Sequence, residues 1–168
     1  GVEDIVMCPG KEDMFRFLED IVREVVPLFP GKYFHIGGDE CPKTSWKNCP
    51  TCQKRIEAEG LQADGKHSAE ERLQSYVIKR MEKMLAKYGR KIIGWDEILE
   101  GGLSPEATVM SWRGTSGGIS AALQKHDVIM TPGSGGLYLD HYQGDYKIEP
   151  VTIPSAPAYL SRTYNYEP

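Results

Sequence analysis

The chain has 168 residues, of which 40% are hydrophobic and 26% are charged, and its formal net charge is −4. This length fits one globular domain with a sizeable core. Because charges of both signs are interspersed, the composition argues against a nucleic-acid-binding surface and against binding to an anionic membrane. The sequence contains no apolar run near the roughly 20 residues that span a bilayer.

The first part of the chain predicts a turn, a helix and a strand. Pro9 and Gly10 form the turn. Apolar residues at helical spacing, with acidic residues in the first turn, predict a helix over residues 12–26. Pro27 ends that helix. A short apolar run then predicts a buried strand over residues 33–36, followed by two glycines and two adjacent carboxylates.

Two further helices are expected before the next strand. Residues 41–67 form a long insertion, which we expect to hold one short helix near residues 51–59. The pattern from Ser68 to Glu71 is that of a capping box and predicts the start of a longer amphipathic helix. That helix is expected to end at Gly89.

Three of the four cysteines lie in the insertion, at Cys41, Cys49 and Cys52, and the last two form a Cys-Pro-Thr-Cys motif. Such a pair can be half of a zinc site, a redox pair or two free thiols. Cys41 as a third ligand and His67 as a fourth would complete a zinc site of irregular spacing. A disulfide and free thiols are the alternatives that the sequence leaves open.

The second half of the chain predicts three more strands, over residues 91–95, 108–112 and 127–131. The connection between the first two of these is short, so the usual crossover helix is expected to be reduced or missing. A short helix over residues 116–125 precedes the last strand. Its inward-facing residues are expected to be Ile119, Ala122 and Leu123.

The resulting order, α–β–α–β–loop–β–α–β, indicates an α/β fold with parallel strands. Two architectures have this pattern, a doubly wound sheet and a (β/α)₈ barrel. In both, ligands bind at the carboxyl ends of the strands. Neither glycine-rich nucleotide motif, Gly-x-Gly-x-x-Gly or Gly-x-x-x-x-Gly-Lys-Ser/Thr, occurs in the sequence, so a nucleotide site is unsupported.

Carboxylates and large aromatic residues follow the predicted strands. They are Asp39, Glu40, Trp95, Asp96, Trp112, Tyr138 and Asp140. This combination suits a sugar, because the apolar face of a pyranose packs on an indole ring and its hydroxyls bind carboxylates. Cleavage of a glycoside needs a carboxylic acid that protonates the leaving oxygen. Burial or a nearby like charge keeps the proton on such a group, and the adjacent Asp39 and Glu40 provide the like charge.

These residues carry a family resemblance. His35-Ile-Gly-Gly-Asp39-Glu40 resembles the signature of family 20 glycoside hydrolases, the β-N-acetylhexosaminidases. The later segments Gly94–Glu97, Ser111–Gly114 and Tyr138–Asp140 resemble the family's fifth strand, its sixth strand and the loop after its seventh. The resemblance implies a partial (β/α)₈ TIM barrel of about strands 4 to 7 with intervening helices. Residues 1–168 would then be one fragment of the catalytic barrel.

The resemblance also implies roles for individual residues. Glu40 would be the general acid and later the general base, and Asp39 would hold and polarise the 2-acetamido group of the substrate. Tyr138 would hydrogen-bond the acetamido oxygen, which attacks the anomeric carbon and forms an oxazolinium intermediate. The substrate-binding residues would be Trp95, Trp112, Asp140 and His35. No metal or organic cofactor is implied.

A full barrel needs roughly 250 residues, so strands 1 to 3 and 8 are expected to be absent. An open half-barrel exposes strand edges and an apolar sheet face, which predicts self-association. An inactive sugar-binding or structural fragment is one alternative to an active glycosidase. A module stabilised by metal at the cysteines is another. The resemblance does not distinguish a periplasmic, a secreted and a lysosomal parent enzyme.

Overall fold

The computed structural model describes residues 5–135, 137, 142–150 and 157–167. The chain divides into two compact units, Gly1–Ala107 and Thr108–Pro168. None of the described helices is both long and apolar enough to cross a membrane.

The described residues of the first unit, 5–107, form four α-helices and two strands. The helices are α1 (Glu12–Val25), α2 (Thr44–Asn48), α3 (Pro50–Ala58) and α4 (Ala69–Ala86). The strands are β1 (Tyr33–His35) and β2 (Lys91–Trp95), and they pair in parallel with His35 opposite Ile93. α4 is the crossover between them. The predicted order of these elements is confirmed; only α2, a polar helix of five residues, was not predicted, because it is too short to show periodicity.

The start of α4 confirms the predicted capping box. Ser68 Oγ accepts a hydrogen bond from the Glu71 N–H at 3.2 Å, and the Glu71 carboxylate accepts one from the Ser68 N–H at 2.6 Å. Both bonds satisfy N–H groups that a helix start leaves open. The apolar face of α4 is buried through Leu73, Met81 and Leu85, so this long helix supplies much of the core of the unit.

The prediction that the strand over residues 33–36 is buried is wrong for this chain. Tyr33 and His35 are exposed and Phe34 is only partly buried. Within the first unit, β1 pairs with β2 along one edge. None of the described residues of this unit pairs with its opposite edge. It is therefore an edge strand of this unit.

The second unit contains β3 (Thr108–Ser111), α5 (Ser116–Leu123), β4 (Val128–Met130) and α6 (Leu160–Tyr164). β3 and β4 pair in parallel, with Ser111 opposite Met130. The connection from β2 to β3 holds one turn of 3₁₀ helix, Asp96–Leu99, and residues 96–107 form no α-helix, as predicted. The five-residue α6 lies in the tail, where the sequence shows no periodicity.

The prediction of which face of α5 points inward is wrong. Ile119 and Leu123 are 57% and 80% exposed, whereas Gly118 and Ala121 are buried. A side chain at Gly118 would place its Cβ 2.5 Å from the Met130 sulfur. The helix therefore approaches β4 so closely that its small residues, and not its large ones, form the contact.

Ile98 determines how tightly the first unit packs behind its two strands. It is fully buried, and its Cγ2 atom would lie 2.6 Å from a Cβ atom at either Gly38 or Gly94. Both distances are far below van der Waals contact, so each of these positions must be glycine while Ile98 is in place.

This packing predicts a measurable coupling between Gly94 and Ile98. Gly94→Ala should lower the free energy of unfolding by about 1–3 kcal/mol through overpacking. Ile98→Ala should lower it by about 2–5 kcal/mol through loss of buried volume. Because Ile98→Ala removes the clashing atoms, the double variant should lose less than the sum of the two costs in urea denaturation.

Gly65→Ala is the matched control, since no atom lies within 4 Å of a Cβ at that position and its backbone is not left-handed. It should change the free energy of unfolding by less than about 0.5 kcal/mol. Costs that simply add in the double variant would contradict this account of the packing.

Candidate functional site

The candidate site is built at the carboxyl end of β1. Parallel pairing continues past the strand, because the Trp95 N–H donates to the Gly37 carbonyl at 2.9 Å. The chain then turns through Gly37 and Gly38, whose φ angles are 71° and 92°. Only glycine adopts such left-handed angles without strain, so this pair releases the chain from the strand just before Asp39.

Glu40 has a φ angle of 43°, one of two positive values at described residues other than glycine. A side chain in this left-handed region costs on the order of 1–3 kcal/mol. Strain of this kind persists where the surrounding structure fixes the backbone, and it concentrates at functional sites. The conformation of Glu40 is thus a structural indication of function that does not depend on sequence comparison.

Gln74 on α4 holds this turn in place. Its Nε2 donates to the Gly38 carbonyl at 3.1 Å and to the Glu97 carbonyl at 3.3 Å. One side chain thereby links the segments that follow β1 and β2. The sequence analysis did not identify Gln74; the signal was an amide between Leu73 and Ile78, at a position of a long helix that is buried in the structure.

His35 supports the turn from the strand. Its Nδ1 accepts a hydrogen bond from the Gly37 N–H at 3.0 Å, so the proton of the neutral ring lies on Nε2. Partial burial removes water from the charged form of the ring and lowers the pKa of His35, while the negative charge of Asp39 opposes that shift. The His35 ring also packs against Trp95, with ring centroids 4.7 Å apart and planes tilted by 59°.

Asp39 and Glu40 line a cavity of about 360 Å³ in the first unit. The rest of its wall is mostly apolar and comes from the N-terminal segment, α1, α4 and residues near Cys41. Both carboxylates are exposed in this chain. The arrangement therefore places two acidic groups at the mouth of an apolar hollow.

The remaining predicted site residues are distributed unevenly. Trp112 lies in the second unit, directly after β3, and is partly buried; its carbonyl accepts a hydrogen bond from the Gly133 N–H at 3.0 Å. Asp96 and Glu97, expected to support or rim the site, are only 2% and 4% exposed. Tyr138 and Asp140 lie outside the described residues.

The structure corrects one of the options that the sequence left open for the cysteines, a zinc site completed by Cys41 and His67. The sulfur atom that lies beside those of Cys49 and Cys52 is that of Cys8, not that of Cys41. His67 is engaged elsewhere, since its Nδ1 accepts from the Gly101 N–H at 3.3 Å. The turn at residues 9–10 brings Cys8 to the start of α3, a contact that its spacing in the sequence did not show.

The cysteines of this group differ in acidity. Hydrogen bonds from the Thr51 hydroxyl and the Cys52 N–H lower the pKa of Cys49 to about 6. Burial raises the pKa of Cys52 to about 12. Burial also raises the pKa of Cys41, which lies apart from the group.

Comparison with known proteins identifies the family. The family model for glycosyl hydrolase family 20, catalytic domain, matches residues 1–168. The chain belongs to glycoside hydrolase family 20. The β-hexosaminidase of Porphyromonas gingivalis is 62% identical to it over 168 residues, which are 100% of this chain and 21% of that protein. The β-hexosaminidase of Vibrio furnissii is 35% identical over 166 residues, covering 98% of this chain and 26% of that protein.

Solved structures of family 20 enzymes have the same fold. A GH20 exo-β-N-acetylglucosaminidase from Vibrio harveyi, in complex with N-acetylglucosamine, matches with a TM-score of 0.81 and 31% identity. The match covers 99% of this chain and 25% of that one. The predicted fold class, α/β with part of a (β/α)₈ barrel, is confirmed. The chain spans about a fifth to a quarter of the length of these family 20 relatives.

The lowered pKa of His35 predicts a pH dependence of stability. A histidine in the unfolded chain titrates near 6.5, above the folded-state value, so the unfolded chain binds more protons between the two values. The free energy of unfolding should therefore decrease as the pH falls from about 6.5 toward the folded-state pKa of His35, and be unaffected by this group above about 6.5.

Urea denaturation between about pH 7.5 and about pH 5.5 measures this effect, and His35→Gln is the control because it cannot titrate. The difference between the two proteins should change over that range. Carboxylates with lowered pKa values, such as Glu12 and Glu71, lose their contribution only below about 4.5, outside that window. An NMR titration that gives His35 a pKa at or above 6.5 would contradict the assignment.

Proposed function

We propose that the chain belongs to an enzyme that removes terminal non-reducing N-acetyl-D-hexosamine residues from β-N-acetylhexosaminides. Family membership over residues 1–168 and the names of the bacterial relatives support this activity. The N-acetylglucosamine bound in the Vibrio harveyi structure supports the substrate class. The observation that carries the proposal is the strained Glu40 beside Asp39 at the mouth of an apolar cavity.

Glu40 is proposed to transfer the proton in both half-reactions. It first protonates the glycosidic oxygen as the bond from that oxygen to the anomeric carbon breaks. The carbonyl oxygen of the substrate's acetamido group attacks the same carbon and forms the oxazolinium ring. Glu40 then takes a proton from water, which opens the ring. Two displacements at one carbon retain its configuration, and one water is consumed.

Asp39 and Tyr138 are proposed to prepare the acetamido group. The Asp39 carboxylate accepts a hydrogen bond from the acetamido N–H, which increases the electron density on the carbonyl oxygen. Tyr138 donates to that oxygen and aims it at the anomeric carbon. Holding an internal nucleophile in its attacking position removes much of the entropic part of the barrier, which is worth up to about 7–11 kcal/mol in well-oriented systems.

The aromatic residues are proposed to shape the pocket. Trp95 and Trp112 wall the acetamido group, and Asp140 binds a sugar hydroxyl. His35 orients rather than transfers protons: its Nδ1 is engaged by the Gly37 N–H, and its ring packs against Trp95. These contacts support a role in fixing the indole and the turn that carries the two carboxylates.

Glu40→Gln tests the central assignment. It should reduce hydrolysis of an N-acetyl-β-glucosaminide by about 10²–10⁴-fold, because the amide cannot protonate the leaving group. The loss should be smaller for a nitrophenyl glycoside than for an alkyl glycoside, since nitrophenolate leaves without a proton. Rates for both substrates measure this difference.

Glu106→Gln is the matched control, because this carboxylate is exposed and pairs with Lys91 at 3.1 Å on the surface. It should leave both rates unchanged. Equal losses for the two leaving groups in Glu40→Gln would contradict its role as the acid.

An inactive sugar-binding or structural fragment is the second candidate. The observation in its favour is that the chain spans only 21% of the Porphyromonas gingivalis protein and 26% of the Vibrio furnissii protein. Calorimetry with N-acetylglucosamine distinguishes the two: binding without turnover by folded chain favours the fragment, and turnover that Glu40→Gln abolishes favours the enzyme.

We also propose that residues 1–168 act as one part of a catalytic barrel and that the isolated chain self-associates. The exposed β1 supports association at a strand edge. An apolar stripe that includes Phe17 and Ile21 on α1, and Leu28 just after it, is also exposed. Surfaces of this kind are normally covered in a soluble protein.

At protein concentrations on the order of tens of micromolar, light scattering should find dimers or larger species. Phe17→Glu combined with Ile21→Glu should shift the population toward monomer, whereas Lys11→Glu, a charge change at an exposed residue before α1, should not. A single monomeric species of the unchanged chain would contradict the proposal.

A further inference from the structure

Three cysteine sulfurs from two distant segments meet beside α3, and the proposed glycosidase chemistry uses none of them. The Cys8 sulfur lies 3.6 Å from that of Cys49 and 3.4 Å from that of Cys52. All three sulfurs lie within 4.8 Å of one another. We propose that Cys8, Cys49 and Cys52 form a thiolate site for a soft metal ion, with Zn²⁺ as the expected occupant.

The spacing of the sulfurs fits one zinc ion. Tetrahedral zinc has sulfur ligands at about 2.3 Å, which places two such ligands roughly 3.8 Å apart. The separations of the Cys8 sulfur from those of Cys49 and Cys52 are within a few tenths of an ångström of that value. A disulfide would need two sulfurs about 2.05 Å apart and would leave the third unused. One ion can engage all three sulfurs with little movement of the backbone.

The backbone is shaped to bring these segments together. A Cβ atom at Gly10 would lie 2.4 Å from the carbonyl carbon of Thr51, so only glycine allows the loop after Cys8 to reach the start of α3. The indole N–H of Trp46 donates to the Met7 carbonyl at 2.9 Å and fixes the same loop from the other side. The site is therefore preorganised by contacts that do not involve the sulfurs.

Hydrogen-bond donors surround the sulfurs, as thiolate ligands require. The Thr51 hydroxyl lies 3.0 Å from the Cys49 sulfur and 3.3 Å from that of Cys8. The backbone N–H groups of Cys52 and Gly10 donate to Cys49 and Cys52, respectively. Such outer contacts orient metal ligands.

The fourth coordination position is not filled by a side chain of the usual kind. Among the residues that the structure describes, no further His, Cys, Asp or Glu joins the group. Cys52 is buried and Cys8 is partly exposed, so an ion here would lie at the edge of the core and complete its shell with water or a small anion. The consequence would be a cross-link between the N-terminal loop and the insertion.

Titration of the reduced full chain with Co²⁺, followed by Zn²⁺ competition, tests the site. Co²⁺ reports thiolate ligands and tetrahedral geometry through its charge-transfer and visible bands. We expect one ion per chain, displaced by Zn²⁺, and a rise in melting temperature when Zn²⁺ is present. Cys8→Ser should weaken Zn²⁺ binding by at least about tenfold, since changes outside the first ligand shell already cost 10–100-fold.

Cys41→Ser is the matched control, because Cys41 is a partly buried cysteine outside the group. It should bind Zn²⁺ as the unchanged chain does. Cys8 is the residue to replace because it lies in a loop, whereas Cys52 belongs to a buried cluster with Trp46 and Leu73.

Three results would overturn the proposal. They are the absence of stoichiometric Zn²⁺ or Co²⁺ binding by the reduced chain, equal weakening by Cys8→Ser and Cys41→Ser, and Co²⁺ spectra without thiolate bands. Each is read from metal binding, so none depends on whether the chain hydrolyses a glycoside.

Discussion

The structure of the first unit depends on how closely two strand ends can approach the segment after β2. Ile98 occupies the space that side chains at Gly38 and Gly94 would fill. Gln74 then bonds to the carbonyls of Gly38 and Glu97, which lie on the two segments that Ile98 brings together. Gly38 and Gly94 are thus required by packing, and the position of Asp39 and Glu40 follows from that packing.

This constraint also accounts for the backbone of Glu40. The turn leaves β1 through two glycines in left-handed conformations, and two residues later Glu40 again has a positive φ, although it carries a side chain. A free loop would relax from such a conformation. Here the segment before Glu40 is bonded at the Gly38 carbonyl by Gln74 and at the Gly37 N–H by His35, so two side chains hold the turn that leads into the strained residue.

The sequence predicted elements well where neighbouring residues decide the structure, and poorly where contacts between residues far apart in the chain decide it. Helical periodicity located α1, and the capping box located the start of α4. The prediction of the inward face of α5 was wrong because the contact between this helix and β4 depends on the small size of Gly118, not on hydrophobicity. Cys8 was missed because its partner Cys49 is 41 positions away, and the two are brought together by the packing of Gly10 against Thr51, which the sequence does not show. The chemistry that the motif assigns to Asp39 and Glu40 stays a prediction, and the motif gave no sign of the hydrogen bonds by which Gln74 holds their turn.

The exposure of Asp39 and Glu40 in this chain has a chemical consequence. Hydrogen bonds and charges act most strongly on a reacting glycoside when water is excluded, and two solvated carboxylates offer little of that advantage. The cavity that they line is walled mainly by apolar side chains, so it can exclude water on one side only. A bound sugar would have to exclude it on the other, with its acetamido group against the carboxylates. The substrate-assisted chemistry proposed above would suit such a site, because its nucleophile would arrive with the molecule that displaces the water.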